Sequence, residues 1–188
     1  MKKKKSNKYF PYSIIAIAVI ALIGYFFVNP IEVPIQRGII FLHRHADFKV
    51  FINGQELDFN KTEFDEQNTF IHLHISNEND DRVIHVEGKE ADLGIFFSSL
   101  NMSFNKTCFA VDKNTRCNNS EKKLKFLVNG FQNEAFENYI PKDLDRILIS
   151  YGNETTEEVK KQMDSVTSDA CIYSQKCLVP KNTKDIVF

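Results

Sequence analysis

All five histidines of the chain fall within one stretch: His43, His45, His72, His74 and His85. Two pairs are written His-x-His, in HRH and HLH, and the fifth stands in VIHVE. Neutral imidazole is a good ligand for Zn or Cu and a poor one for Ca or Mg, which prefer oxygen. Gathered in one place, these rings would make a site for a Zn or Cu ion. Asp47 and Glu87 stand at matching positions, where each would either ligate the ion or accept the second ring N–H and fix a tautomer. Two other arrangements compete: half-exposed histidines on a solvated sheet face, and a buried His–carboxylate hydrogen-bond network with no metal.

The rings converge only if strands carry them. Alternate side chains of a strand share a face. In LHRHADFKVFI the apolar set is Leu42, Ala46, Phe48, Val50 and Ile52, which leaves His43, His45 and Asp47 opposite. In FIHLHIS the apolar set is Ile71, Leu73 and Ile75, with His72 and His74 opposite. In RVIHVEG it is Ile84 and Val86, with His85 and Glu87 opposite. Antiparallel pairing of the last two segments with His72 facing His85 would put their Cβ atoms about 5 Å apart, close enough to share an ion. His43 and His45 complete the set only if the first strand lies alongside.

The remaining segments supply a scaffold. KVFINGQELDF and KLKFLVNGFQNEAF read as hairpins, because Asn53-Gly54 and Asn129-Gly130 supply the positive-φ pair of a type I′ turn. NKTEFDEQNT is a polar connection. In GKEADLGIFFSSL, Leu93, Phe96, Phe97 and Leu100 recur at helical spacing behind Asp92 as cap. DRILISYG reads as a buried strand. TTEEVKKQMDSV reads as a helix with a Thr155/Glu158 capping box and an apolar stripe of Val159, Met163 and Val166. The expected fold class is α+β: an N-terminal transmembrane helix, then an antiparallel or mixed sheet of hairpins with one or two packed helices.

Residues 9–28 carry no charge, and ~20 residues at 1.5 Å rise span a hydrocarbon core of ~30 Å. Aromatic residues stand at both ends of this span, as interfacial belts do. Lys2, Lys3, Lys4, Lys5 and Lys8 precede it and should stay inside, sending the rest of the chain out. A signal peptide is the rival reading, but no small-x-small cleavage site follows. The expected organisation is a cytoplasmic basic segment at 1–8, a transmembrane helix at 9–28, a stiff linker at 29–38, an extracytoplasmic His-rich domain at 39–170 and a clipped tail at 171–188. The lipid bilayer is then one partner, the metal ion a second, and an unidentified protein a third.

Four cysteines in an extracytoplasmic segment imply disulfides, and Cys108–Cys117 and Cys171–Cys177 are the expected bridges. The first would join the ends of a hairpin turning at Asp112-Lys113, and the second would clip CIYSQKC. Neither spacing is the CxxC of a thioredoxin-like redox motif. Asn-x-Ser/Thr sequons begin at Asn60, Asn101, Asn105, Asn118 and Asn153, all beyond the span and thus candidates for glycosylation.

The N-terminal lysines carry +5 of a net charge of −1, which leaves −6 on everything after them. An acidic domain of this kind argues against nucleic acid. No Gly-x-Ser-x-Gly, His-Glu-x-x-His, phosphate loop or dinucleotide fingerprint appears, so no catalytic residues are assigned.

From Val83 to Gly152 the order of strand, helix, VNG hairpin and closing strand is similar to small extracytoplasmic β-grasp ligand-binding domains. HRHADFKVFING, IHLH, VIHVEG with FFSSL, and LDRILISYGNET together resemble a group of uncharacterised archaeal single-pass membrane-anchored proteins. Some of that group are labelled protein disulfide isomerase, a label from which the absence of CxxC departs. The resemblance implies an extracytoplasmic domain on one membrane span. The functional expectation is a membrane-anchored metal-binding domain. The alternatives are a non-catalytic surface module that binds a ligand or protein and, behind it, a thiol–disulfide oxidoreductase.

Overall fold

The computed structural model describes residues 43–75 and 82–177. The chain divides into two compact units, Met1–Ile40 and Phe41–Phe188, and every described residue belongs to the second. The expected basic segment, anchor and linker lie outside the described residues. Among the described residues no helix is long and apolar enough to cross a membrane.

The strands are β1 (Arg44–Ile52), β2 (Gln55–Glu56), β3 (Ile71–His72), β4 (Val83–Val86), β5 (Ser103–Phe104), β6 (Cys108–Val111), β7 (Asn114–Cys117), β8 (Lys123–Val128), β9 (Phe131–Gln132) and β10 (Arg146–Gly152). The α-helices are α1 (Leu93–Ser99), α2 (Thr156–Ser165) and α3 (Ala170–Tyr173). Seven strands form one sheet in the order β3-β4-β1-β10-β8-β9, with β2 hanging from β1. β5, β6 and β7 form a second, antiparallel sheet. The fold is therefore α+β with one mixed and one antiparallel sheet. β1 and β10 are the parallel pair of the larger sheet, and its other pairings are antiparallel.

β10 explains the two-sided core. Its run RILISYG leaves Ile147, Leu148, Ile149 and Ser150 with no exposed surface, as suits a strand covered on both faces between β1 and β8. On one face Ile147 and Ile149 join Ala46, Phe48, Val50, Ile71, Leu73, Ile84 and Val86 beneath α1 and the smaller sheet. Without tryptophan, phenylalanine fills that space, in tilted and edge-to-face contacts such as Phe48–Phe59 at 4.8 Å and Phe96–Phe97 at 5.0 Å. On the other face Phe51 and Leu148 pack against Val159, Met163 and Val166 from α2 and its C-terminal end.

The local signals act as written. Asn53 and Gly54 take φ of 52° and 77°, and Asn129 and Gly130 take 54° and 85°. Asp112 and Lys113 turn the β6–β7 hairpin with φ of 50° and 64°. The Asp92 carboxylate accepts from the Ile95 amide at 2.8 Å and caps α1. Thr155 and Glu158 close the capping box of α2. At the other end of α2 the Arg146 guanidinium donates to the carbonyls of Met163, Val166 and Thr167, satisfying acceptors the helix leaves open. That contact ties β10 to the turn leading into α3.

Candidate metal centre

The histidine strands lie side by side. β3 pairs antiparallel with β4 so that His72 faces His85, and β1 pairs antiparallel with β4 so that His45 faces the same His85. His85 is thus the middle of a row of three imidazoles running across three strands. His43 and His74 sit two residues along from His45 and His72 and return to the row. Ring centroids are 4.7 Å apart for His45–His85, 4.4 Å for His74–His85, 4.5 Å for His43–His45 and 5.8 Å for His72–His85. All five rings therefore form one patch, by the parity that the sequence shows. Within it, one ligand nitrogen from each of His43, His45 and His85 lies within 4.8 Å of the others.

The patch is not a solvated face. His45, His85 and His72 are only 2%, 5% and 7% exposed. His43 is exposed and His74 is half-buried, so the open mouth lies at those two rings. The cover is the C-terminal segment: the Tyr173 ring lies 5.7 Å from His45 and 5.2 Å from His85. The competing arrangement of half-exposed histidines on an open sheet does not hold for these three rings, two of which, His45 and His85, lie against Tyr173 of α3.

Asp47 brings α3 there. It shares the histidine face, as expected, but its carboxylate is buried and occupied elsewhere. It accepts from Thr167 Oγ1 at 2.5 Å, the Asp169 amide at 2.7 Å and the Ala170 amide at 3.0 Å. Burial pushes the Asp47 carboxyl upward, and those hydrogen bonds oppose the shift. Asp47 thus anchors the covering segment through its carboxylate. Glu87 is exposed at the end of β4, and its negative charge acts on His72 through space.

Other residues hold the rings. His45 Nδ1 meets Ser174 Oγ at 2.8 Å, and Ser174 donates its proton to Asp143 Oδ1 at 2.5 Å. With its hydroxyl hydrogen so used, Ser174 accepts from His45, which places the hydrogen on Nδ1 and the lone pair on Nε2. That Nε2 stands 3.2 Å from His43 Nε2. Asp143 is held by the His45 amide at 3.0 Å and by Lys176, and the carboxyl lies below its ordinary value because these bonds outweigh its burial. His72 Nδ1 meets the Asn68 carbonyl at 2.9 Å, and His74 Nδ1 meets a Glu66 carboxylate oxygen at 3.1 Å. Sequence reasoning missed Ser174, Asp143, Tyr173, Asn68 and Glu66. The readable signal was for Glu66 and Asn68: acceptors shortly before a His-x-His strand are close enough in sequence to fold back onto it.

Burial pushes His45 down to about 3, with His85 and His43 adding to the effect, and burial also lowers His72. Neutral rings with bound Nδ1 hydrogens are the form in which imidazole ligates a metal. Zn–N bonds of ~2.0–2.1 Å at a tetrahedral angle put ligand nitrogens about 3.3 Å apart, close to the 3.2 Å between His43 and His45 Nε2. The all-nitrogen donor set suits Zn or Cu.

Both expected disulfides are present, Cys108–Cys117 across the β6–β7 hairpin and Cys171–Cys177 around the end of α3. The second clips the segment that carries Tyr173 and Ser174, so the expected tail is part of the site. Among the sequon residues Asn60, Asn101, Asn118 and Asn153 are exposed and Asn105 is half-buried. No protein-family model, curated protein or solved structure matches the chain.

Proposed function

We propose that the chain is an extracytoplasmic metal-binding domain that takes a Zn or Cu ion through His43, His45 and His85 and is held to a membrane by residues 9–28. The observation that carries the reading is the approach of three ligand nitrogens from two neighbouring strands to within 4.8 Å of one another. The Ser174–Asp143 pair supports it by turning the His45 lone pair toward His43. Three protein ligands leave a fourth tetrahedral position for water or for a group from a donor or acceptor of the ion, which suits capture and delivery. The two disulfides fit an oxidising compartment, on the side of the bilayer away from the N-terminal lysines.

The test is metal content. The full chain, purified in detergent and equilibrated with Zn(II) or Cu(II), should retain more of the ion through a chelator wash than a His45→Ala/His85→Ala variant. Equal retention of both metals by the two proteins would sink the reading.

A further inference from the structure

The three-histidine group leaves two rings over. His72 and His74 point Nε2 at Nε2 across 3.2 Å, the same separation as His43 and His45. The acceptors behind them make this second pair more demanding. The Asn68 carbonyl can only accept, so His72 carries its hydrogen on Nδ1. The Glu66 carboxylate also accepts, so His74 does the same. Both Nε2 atoms thus turn toward the same gap, with their Nδ1 hydrogens taken up behind them. The 3.2 Å between them is close to the edge of a tetrahedron of nitrogens around a metal, so one cation in the gap is within reach of both.

The loop that supplies the acceptors is held by its own hydrogen bonds. Asn68 Oδ1 accepts from the amides of Phe70 at 2.8 Å and Ile71 at 3.3 Å, and Asp65 Oδ1 accepts from Ile75 at 2.8 Å. Glu66 takes a left-handed backbone, φ 47°, and its amide donates to the Leu73 carbonyl at 3.0 Å. A non-glycine residue in that region costs free energy and persists only where its surroundings impose it. The Glu66 carboxylate stands behind His74, 3.1 Å from its Nδ1.

We propose that His72 and His74, braced by Asn68 and Glu66, form a second position for a borderline divalent cation, Zn(II) or Cu(II), beside the one formed by His43, His45 and His85. The proposal rests on the preceding reading and deepens it: the face carries two ions, one on either side of His85.

Zn(II) titration of the detergent-solubilised full chain against a chromophoric chelator decides the matter. Two equivalents are expected for the intact chain, one for His72→Ala/His74→Ala and one for His43→Ala/His45→Ala. Glu66→Gln keeps every imidazole and the fold, and it should weaken one of the two equivalents about 10-fold while leaving the other unchanged. A single equivalent in the intact chain, or two retained in His72→Ala/His74→Ala, overturns the second position while metal binding itself stands. No bound zinc or copper in the intact chain removes both proposals together. If a double variant loses its circular dichroism, the intact chain and Glu66→Gln decide.

Discussion

A carboxylate on the right face of the right strand does not become a ligand by position alone. Asp47 lies on the face of His43 and His45, yet its partners come from residues 167, 169 and 170, far along the chain. Strand parity is legible in sequence; the competitor for a side chain is not, when it arrives from another element. Two predictions follow at this scale. Asp47→Ala leaves the Asp169 and Ala170 amides without an acceptor in a buried setting, so unfolding should become easier by about 3 kcal/mol in urea titration. Ser174→Ala removes only the oxygen behind His45 Nδ1. Metal affinity should fall about 10-fold through lost ring orientation, and urea stability by about 1 kcal/mol because the buried His45 Nδ1 hydrogen loses its acceptor. An unchanged affinity would mean that the Ser174–Asp143 pair is incidental to the site.

Period-two alternation placed the histidines, turn dipeptides placed the hairpins, and capping residues placed α1 and α2, because each of these is local chemistry. What was not legible is non-local. Nothing within DRILISYG says that it enters between β1 and β8 as the parallel partner of β1. Nothing within CIYSQKC says that it covers His45 and His85. β3 is only a two-residue strand, yet its pairing with β4 brings His72 to His85. The two disulfides sit on elements with different tasks, which gives a paired prediction. Loop-closure entropy assigns each about 2 kcal/mol, since both close short loops. Cys108→Ala/Cys117→Ala should therefore lower stability and leave metal affinity alone. Cys171→Ala/Cys177→Ala should cost similar stability and also weaken metal binding, because it frees the segment bearing Tyr173 and Ser174. Equal metal affinity in the two variants would show that the clip does not support the site.

Across the whole molecule the buried histidines make the metal-free fold sensitive to acid. His45 is held at about 3 against an ordinary 6.5, by burial first and then by His85, His43 and His74, with Asp143 opposing. His72 is lowered in the same direction. Between those two values the unfolded chain binds a proton at His45 that the folded chain does not, so stability rises with pH and is lost as pH falls. The slope approaches about 1.4 kcal/mol per pH unit for each such ring, and His45 alone should cost about 2 kcal/mol on going from pH 7.5 to pH 5. Glu134 and Glu158, whose carboxyls lie below their ordinary value, contribute only at lower pH, and the raised Asp47 acts in the opposite sense. A bound ion adds stability of its own at neutral pH and is released as protons compete for the imidazoles. The urea midpoint of the chelator-treated chain should then fall steadily between pH 7 and pH 5, and that of the zinc-loaded chain should start higher and fall more steeply toward the same acid limit. A flat midpoint in the chelator-treated chain over that interval would mean that His45 is not held neutral by the segment crossing it, and the case for a preformed imidazole site would go with it.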